Sequence, residues 1–526
     1  MISQHSNQDT RSAPECDHGR DIGARASVIA AATLGSRILG FLRDLIIAHA
    51  LGAGMLADAF FAAFQPPNLM RRLFTEGSLS MSFVPVFCDL RRKDSSERAF
   101  AMARSVLAWL VVAVGGLVLA GELFAPVLTR LLAPGFECDP ELLGLTVSLV
   151  RVCLPYVLLV CGLALCMGVL NSLDHFLGPA VAPILFNACL ITSALGALAL
   201  GLNVALALAW AIVAAGCAQW VLQQFFLARQ GFRWHGPWRW QDPGAAATGK
   251  RLLPTIFGAS ACQISLVLAT VLATFLPTGA VSSIYYADRL AQFPLGVFGV
   301  AISTAALPSL SRLAVPEFRG DFFSALNHSL RLVLFISLPA AAGLAGLSRP
   351  IVDLLFGHGA FGPEAVQQTS LALSCFCLGL PAFAGVRTLS AAFFAWRDTR
   401  GPVLAALAGL LVFGGTAAFL MIPLGVAGLG LAVSAGAWSN FLGLHILLNR
   451  RFGSWQAYIR SALAGIAPSL AMGAAAWASW RFAPQGLKIA VLALIPAWAA
   501  AYLAGTRLLG MREPAMLWEA VKRRKA

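Results

Sequence analysis

Charge is scarce in this chain of 526 residues: Asp, Glu, Lys and Arg make up 12% of it, against roughly 25% in a soluble globular domain. That deficit excludes a water-soluble protein. Apolar residues reach 58% and mean hydropathy is +0.76, as in an integral membrane protein. Long polar stretches are lacking too. Spans of about 20–25 residues, about fourteen of them, would use most of the chain and leave no room for a sizeable soluble domain. No Gly-rich loop ending in Lys-Ser or Lys-Thr occurs, which argues against ATP hydrolysis, and no pattern suggests catalysis. The 11 cysteines show no metal or redox spacing. Most (Cys153, Cys161, Cys166, Cys189, Cys217, Cys262) lie inside apolar runs, and only Cys375 and Cys377 are close together. Neither a metal nor a cofactor is expected, and the chain does not read as an enzyme.

What charge there is falls in a pattern. Residues 1–24 are polar and read as a disordered cytoplasmic tail, not a secretory signal. Apolar runs punctuated by Gly, Pro and charge then predict spans at 27–51, 56–90, 100–133, 141–171, 179–201, 203–228, 250–276, 281–311, 322–355, 363–396, 402–423, 425–449, 456–482 and 486–510. Basic residues gather on alternate connections: Arg91 to Arg98, Arg229 to Arg251, Arg312 and Arg319, Arg397 and Arg400, Arg450 and Arg451, and the tail from Arg512. The opposite side holds Glu137, Asp139, Glu141 and Glu364. The positive-inside rule makes the basic side and both termini cytoplasmic, which requires an even number of spans. The net charge of +14 (38 basic against 24 acidic residues) suits anchoring at an anionic leaflet. Nucleic acid is not expected as a partner, because these residues sit in short membrane-flanking loops. Trp234, Trp238 and Trp240, in the 230–249 loop, suit the membrane interface.

The two halves resemble each other about 224 residues apart. Phe60-Phe61 matches Tyr285-Tyr286, Pro85 matches Pro308, Phe136 matches Phe361, Leu154-Pro155 matches Leu380-Pro381, and Gly178-Pro179 matches Gly401-Pro402. The offset covers an even number of spans, so both copies have one orientation. This is the parallel-repeat plan of some secondary transporters, with the substrate site near the midplane between halves. The expected organisation is a six-helix lobe at 25–229, a cytoplasmic loop at 230–249, a second six-helix lobe at 250–450, two extra transmembrane helices at 451–511 and a basic cytoplasmic tail at 512–526. The fold class is an all-α integral membrane protein.

Several arginines interrupt the apolar runs. Arg37 and Arg43 lie in the first span and Arg289 in the eighth. A charge at the centre of a membrane helix costs about 2.5–3.5 kcal/mol, so such residues face a wet cavity or a charged ligand. Arginine suits phosphate, because its planar fork gives paired hydrogen bonds. At helical spacing Arg37, Gly40, Asp44 and Ala48 share one face, with Arg43 pointing elsewhere. In the second span Pro66, Pro67 and Asn68 are expected to break the helix beside the cavity, and Arg71, Arg72 and Glu76 follow. The alternative is that these charges pair internally: Arg43 with Asp44 or Asp58, Arg72 with Glu76, and Asp288 with a neighbouring arginine. Arginines outnumber carboxylates here, which favours an anion site.

The stretches Ser36–Asp44, Asp58-Ala-Phe-Phe61, Pro67–Gly77, Phe83-Val-Pro85, Ala133-Pro-Gly-Phe136, Tyr285-Tyr-Ala-Asp-Arg-Leu290 and Leu307–Arg312 carry a resemblance. With them the chain resembles the MurJ (MviN) lipid II flippases of the multidrug/oligosaccharidyl-lipid/polysaccharide exporter superfamily, from about residue 25 to 511. The resemblance implies two six-helix lobes plus two helices, and alternating access through a cationic central cavity. The cargo would be lipid II, the polyprenyl-pyrophosphate-linked peptidoglycan precursor, moved from the cytoplasmic to the periplasmic leaflet of a bacterial inner membrane. Substrate binding is expected at Arg37, Arg43, Arg71 and Arg289. Asp58, Glu76, Asp288, Arg72 and Asn68 are expected to support them, with Asp58 and Glu76 holding the arginines. Gln65 departs from the family, where a basic residue is expected. Lipid II and membrane lipids are the expected partners of a monomer. A flippase for another polyprenyl-linked glycan shares the cavity logic, whereas a drug/cation antiporter should have a cavity dominated by carboxylates.

Overall fold

Apolar segments that must satisfy their own backbone polar groups in a bilayer fold as helices. The computed structural model describes residues 15–74, 78–296, 300–453, 457–484 and 490–516, and helix is the regular element throughout them. The first nine helices are α1 (Glu15–Leu51), α2 (Met55–Leu73), α3 (Leu79–Lys93), α4 (Ser96–Leu123), α5 (Ala125–Leu132), α6 (Pro140–Cys153), α7 (Pro155–Ser172), α8 (Leu177–Leu200) and α9 (Val204–Arg229). The next nine are α10 (Pro243–Ala273), α11 (Ala280–Pro294), α12 (Val300–Leu313), α13 (Arg319–Gly346), α14 (Ser348–Phe356), α15 (Pro363–Cys377), α16 (Leu380–Ala395), α17 (Arg400–Leu424) and α18 (Val426–Phe452). Two more close the chain, α19 (Ala457–Phe482) and α20 (Ile495–Leu508).

Each span read from the sequence falls on one of these helices or on a consecutive pair. Among the described residues nine are long and apolar enough to cross a membrane, or ten if α15 and α16, bent by 45°, count as one span. Outside that count stand α1 and α2, which carry charge along their lengths, and the short α11. The outer surface is apolar: Leu411, Phe419 and Ile422 are 77%, 82% and 83% exposed, a surface that lipid accepts and water would not. The chain is a multi-span membrane protein.

The internal repeat is visible in the helix order. A long helix (α1, α10) is followed by two shorter ones (α2 and α3, α11 and α12) and then by a long helix with a short sequel (α4–α5, α13–α14). Next comes a pair broken at Leu154, before Pro155, or at Leu378-Gly379, before Leu380-Pro381 (α6–α7, α15–α16), then two long helices (α8–α9, α17–α18). The matched aromatics meet: the rings of Phe61 and Tyr285 stack with centroids 3.9 Å apart. Helix α19 has no counterpart and packs on α13, where Gly473 comes so close that a Cβ would lie 2.7 Å from the Ala342 carbonyl.

Two expectations are corrected. Helix α1 begins at Glu15, so residues 15–24 extend the first helix instead of belonging to a disordered tail. Once a helix is nucleated each further residue adds a hydrogen bond, and no proline follows Pro14 to stop it. Residues 1–14 and 517–526 of the expected tails lie outside the described residues. Helix α2 runs unbroken through Pro66 and Pro67. The prolines remove two backbone donors, leaving the Ala62 and Ala63 carbonyls without helical partners, but they do not end the helix.

At one end of the molecule the helix termini are sealed by close backbone contact. The Ala360 amide donates to the His49 carbonyl at 2.9 Å. Gly52, with φ +68°, lies so near Ala360 that a Cβ would sit 2.3 Å from its carbonyl oxygen. Gly279, with φ +96°, approaches Ala53 in the same way, at 2.8 Å. At the opposite end the 230–242 connection is strapped to α4: Arg98 pairs with Asp242 at 2.5 Å, and Trp109 donates to the Trp240 carbonyl at 3.0 Å.

Candidate substrate-binding site

The charged residues of α1 and α11 meet where the two helical groups face each other. Arg43 and Asp44, expected on different faces of α1, are both buried and joined. Arg43 donates to one carboxylate oxygen, Asp44 Oδ1, from Nη2 at 2.6 Å and from Nε at 3.0 Å. Its Nη1 donates to Asn187 Oδ1 on α8 at 3.0 Å. From α11, Tyr285 Oη donates to Asp44 Oδ1 at 3.3 Å, and Arg289 Nη2 donates to Tyr285 Oη at 3.2 Å. The guanidinium of Arg289 also lies 4.8 Å from the centre of the Tyr285 ring, a cation–π distance.

Arg289 is the least satisfied member of the group. Its Nε stands 3.6 Å from Asp44 Oδ2, within Coulombic reach but too far for a hydrogen bond. That Nε is buried and has no hydrogen-bond partner. Removing a guanidinium from water and leaving a donor unused is costly.

Arg289 borders a cavity of about 600 Å³ between α2, α10 and α11, with Arg72, Asp288, Asn68, Gln65 and Tyr285 also on its walls. A second cavity of about 1300 Å³ adjoins it through Arg72, Leu266 and Asp288, and reaches Arg387 on α16 and Asn440 on α18. Asp288 accepts from Gln292 Nε2 at 2.5 Å. Gln65 donates to the Val267 carbonyl at 3.0 Å, tying α2 to α10.

The remaining predicted residues divide. Arg71 donates to Asn68 Oδ1 at 3.0 Å, one turn away. Arg37 is exposed, with Nη1 lying 2.8 Å from where a Cβ on Gly296 would stand. Asp58 does not hold an arginine. It is 1% exposed and accepts from the Gly279 amide at 2.6 Å, the Ser282 amide at 2.8 Å and the Ser282 hydroxyl at 2.7 Å. These are the unpaired donors that open α11, and a carboxylate at a helix N-terminus satisfies both hydrogen bonding and the helix dipole. Glu76 lies outside the described residues. Asn187 and Arg387 were not singled out from sequence, and Tyr285 only as part of a motif, although an asparagine or arginine inside an apolar run is the same signal that marks Arg37 and Arg289.

The family profile described as "Lipid II flippase MurJ" matches residues 47–497. The chain belongs to the MurJ family. A probable MurJ from Vibrio cholerae is 33% identical over 511 residues, covering 92% of this chain and 95% of the relative. A probable MurJ from Buchnera aphidicola is 35% identical, covering 80% and 81%. A solved structure described as lipid II flippase MurJ in an inward closed conformation superposes with a TM-score of 0.79 at 25% identity, covering 91% of this chain and 98% of that one.

Proposed function

We propose that this protein is a lipid II flippase of the bacterial inner membrane, a transporter that makes and breaks no covalent bond. One observation carries the reading: Arg289, on the wall of a cavity between the two helical groups, keeps a buried Nε without a hydrogen-bond partner. The cargo's pyrophosphate and peptide carboxylates are the anions such a group would take, and a guanidinium fork binds phosphate through paired bonds. Arg72 and Arg387 extend the positive wall into the larger cavity.

With both termini in the cytoplasm, the sealed end formed by Gly52, Gly279 and Ala360 is the periplasmic one, and the cavity serves the cytoplasmic leaflet. Rocking of the helical groups (residues 25–229 against 250–450) would part the seal and the Asp58 bonds to α11 and open the other side. Membrane potential, worth about 2.3 kcal/mol per charge per 100 mV, would favour return of the cationic cavity. Both arginine-bearing helices and the cavity lie within one chain, so a monomer suffices.

The test is reconstitution. Vesicles holding this protein and fluorescent lipid II are treated with a membrane-impermeant quencher. Faster quenching of the inner-leaflet pool than in empty vesicles supports the reading. An unchanged rate with correctly inserted protein rejects it.

A further inference from the structure

We infer that Asn187 is a positioning residue that keeps Asp44 from closing a hydrogen bond onto Arg289. The inference rests on the transport reading above and adds to it a determinant of anion affinity that lies off the cavity wall.

The argument starts from the hydrogen-bonding chemistry of an amide. Asn187 is 6% exposed and has two polar neighbours: its Nδ2 donates to the Ser36 carbonyl at 3.1 Å, and its Oδ1 accepts from Arg43 Nη1 at 3.0 Å. Only one orientation of the amide serves both, since a carbonyl cannot donate and a guanidinium cannot accept. The side chain therefore fixes one plane for Arg43.

That plane has a consequence for the neighbouring carboxylate. With Nη1 tethered to α8, Arg43 turns Nε and Nη2 together onto Asp44 Oδ1. Asp44 is drawn to its own side, and only Oδ2 faces Arg289, at 3.6 Å. Asn187 thereby leaves the buried Nε of Arg289 without a hydrogen-bond partner, and the guanidinium on the cavity wall less than fully compensated by Asp44. Without the tether Arg43 can rotate, Asp44 can close on Arg289, and the cationic site is neutralised from within. Opposite charges brought together in a low dielectric bind each other in preference to a ligand.

The experiment measures binding of lipid II, and separately of inorganic pyrophosphate, to the purified full chain in detergent. Asn187→Leu, close in size but without polar atoms, should weaken both by about tenfold, within the range for losing a hydrogen bond to a charged group. Asn187→Asp, which keeps the shape and offers Arg43 a rival carboxylate, should weaken them at least as much. Asp44→Asn added to Asn187→Leu should restore binding to that of Asp44→Asn alone, because Asp44 can then no longer close on Arg289. A purely structural role for Asn187 in joining α1 and α8 would not be rescued in this way. Wild-type affinity in Asn187→Leu, or a loss that Asp44→Asn does not repair, overturns the inference. A wild-type protein that binds pyrophosphate but not lipid II overturns the proposed function instead, and the same variants then judge Asn187 on pyrophosphate alone.

Discussion

The carboxylate of Asp58 accepts both the amide and the hydroxyl of Ser282, at 2.8 and 2.7 Å, from a helix in the other half of the chain. A third bond comes from the Gly279 amide at 2.6 Å. One buried acid thus caps α11, the helix that carries Tyr285 and Arg289, and fastens it to the start of α2. The capped helix end lies beside the glycine seal, so the same contact that positions the site holds that end closed.

Replacing Asp58 by Asn leaves one acceptor oxygen and an NH₂ group facing three donors. Buried donors left unpaired cost about 1–3 kcal/mol each. The closed end should loosen, and Ala53→Cys placed there, in a background without other reactive cysteines, should react severalfold faster with an external membrane-impermeant thiol reagent. Ser282→Ala, which removes the hydroxyl alone, should have a smaller effect. Equal labelling in all three proteins would contradict the capping role.

Gly52 offers a cleaner test of the seal itself. Its φ of +68° already disfavours a side chain, by about 1–2 kcal/mol, and a Cβ would meet the Ala360 backbone at 2.3 Å. Gly52→Ala should therefore lower the melting temperature of the purified protein. Gly54, two residues on, has nothing within 4 Å of a Cβ. Gly54→Ala should leave melting unchanged, and equal losses at both glycines would show that the close contact is not what matters.

Glu513, just beyond α20, gives a pH dependence of known sign. Burial would raise its pKa, but hydrogen bonds from Ser461, a backbone amide and Arg331, with the charge of Arg331, lower it below the ordinary value. Ser461 donates to Glu513 at 2.6 Å and Arg331 at 2.7 Å. A depressed acid contributes stability that is complete above its unfolded pKa of about 4.3 and fades as pH falls through its lower folded value. Thermal stability should thus drop on acidification below about pH 4.3 more steeply in the wild type than in Glu513→Gln. The variant should also melt lower at neutral pH, because Arg331 loses its partner. Parallel pH profiles would remove Glu513 from the account.

Much of this was legible from residue order. The positions of the helices followed from apolar runs, and the repeat from matched pairs such as Leu154-Pro155 and Leu380-Pro381, because both signals are local. Arg289 stood out because charge inside an apolar run has few cheap explanations. What could not be read was which partner each charge chooses. Asp58 and Arg43 sit at helical positions that could have faced the same cavity. Folding instead brought the N-terminal amides of α11 to Asp58 and Asn187 to Arg43, across separations of 221 and 144 residues. No periodicity carries that information. The continuity of α2 through Pro66 and Pro67 was misread for a related reason, since packing can hold a helix together where local rules would end it.

The most direct measurement is made in cells depleted of their own flippase and rescued by this chain, using an externally added enzyme that cleaves only lipid II exposed at the outer leaflet. The account predicts cleavage restored by the wild-type protein, and abolished by Arg289→Ala at equal abundance in the membrane. Full cleavage with Arg289→Ala, or none with normally inserted wild type, would contradict it.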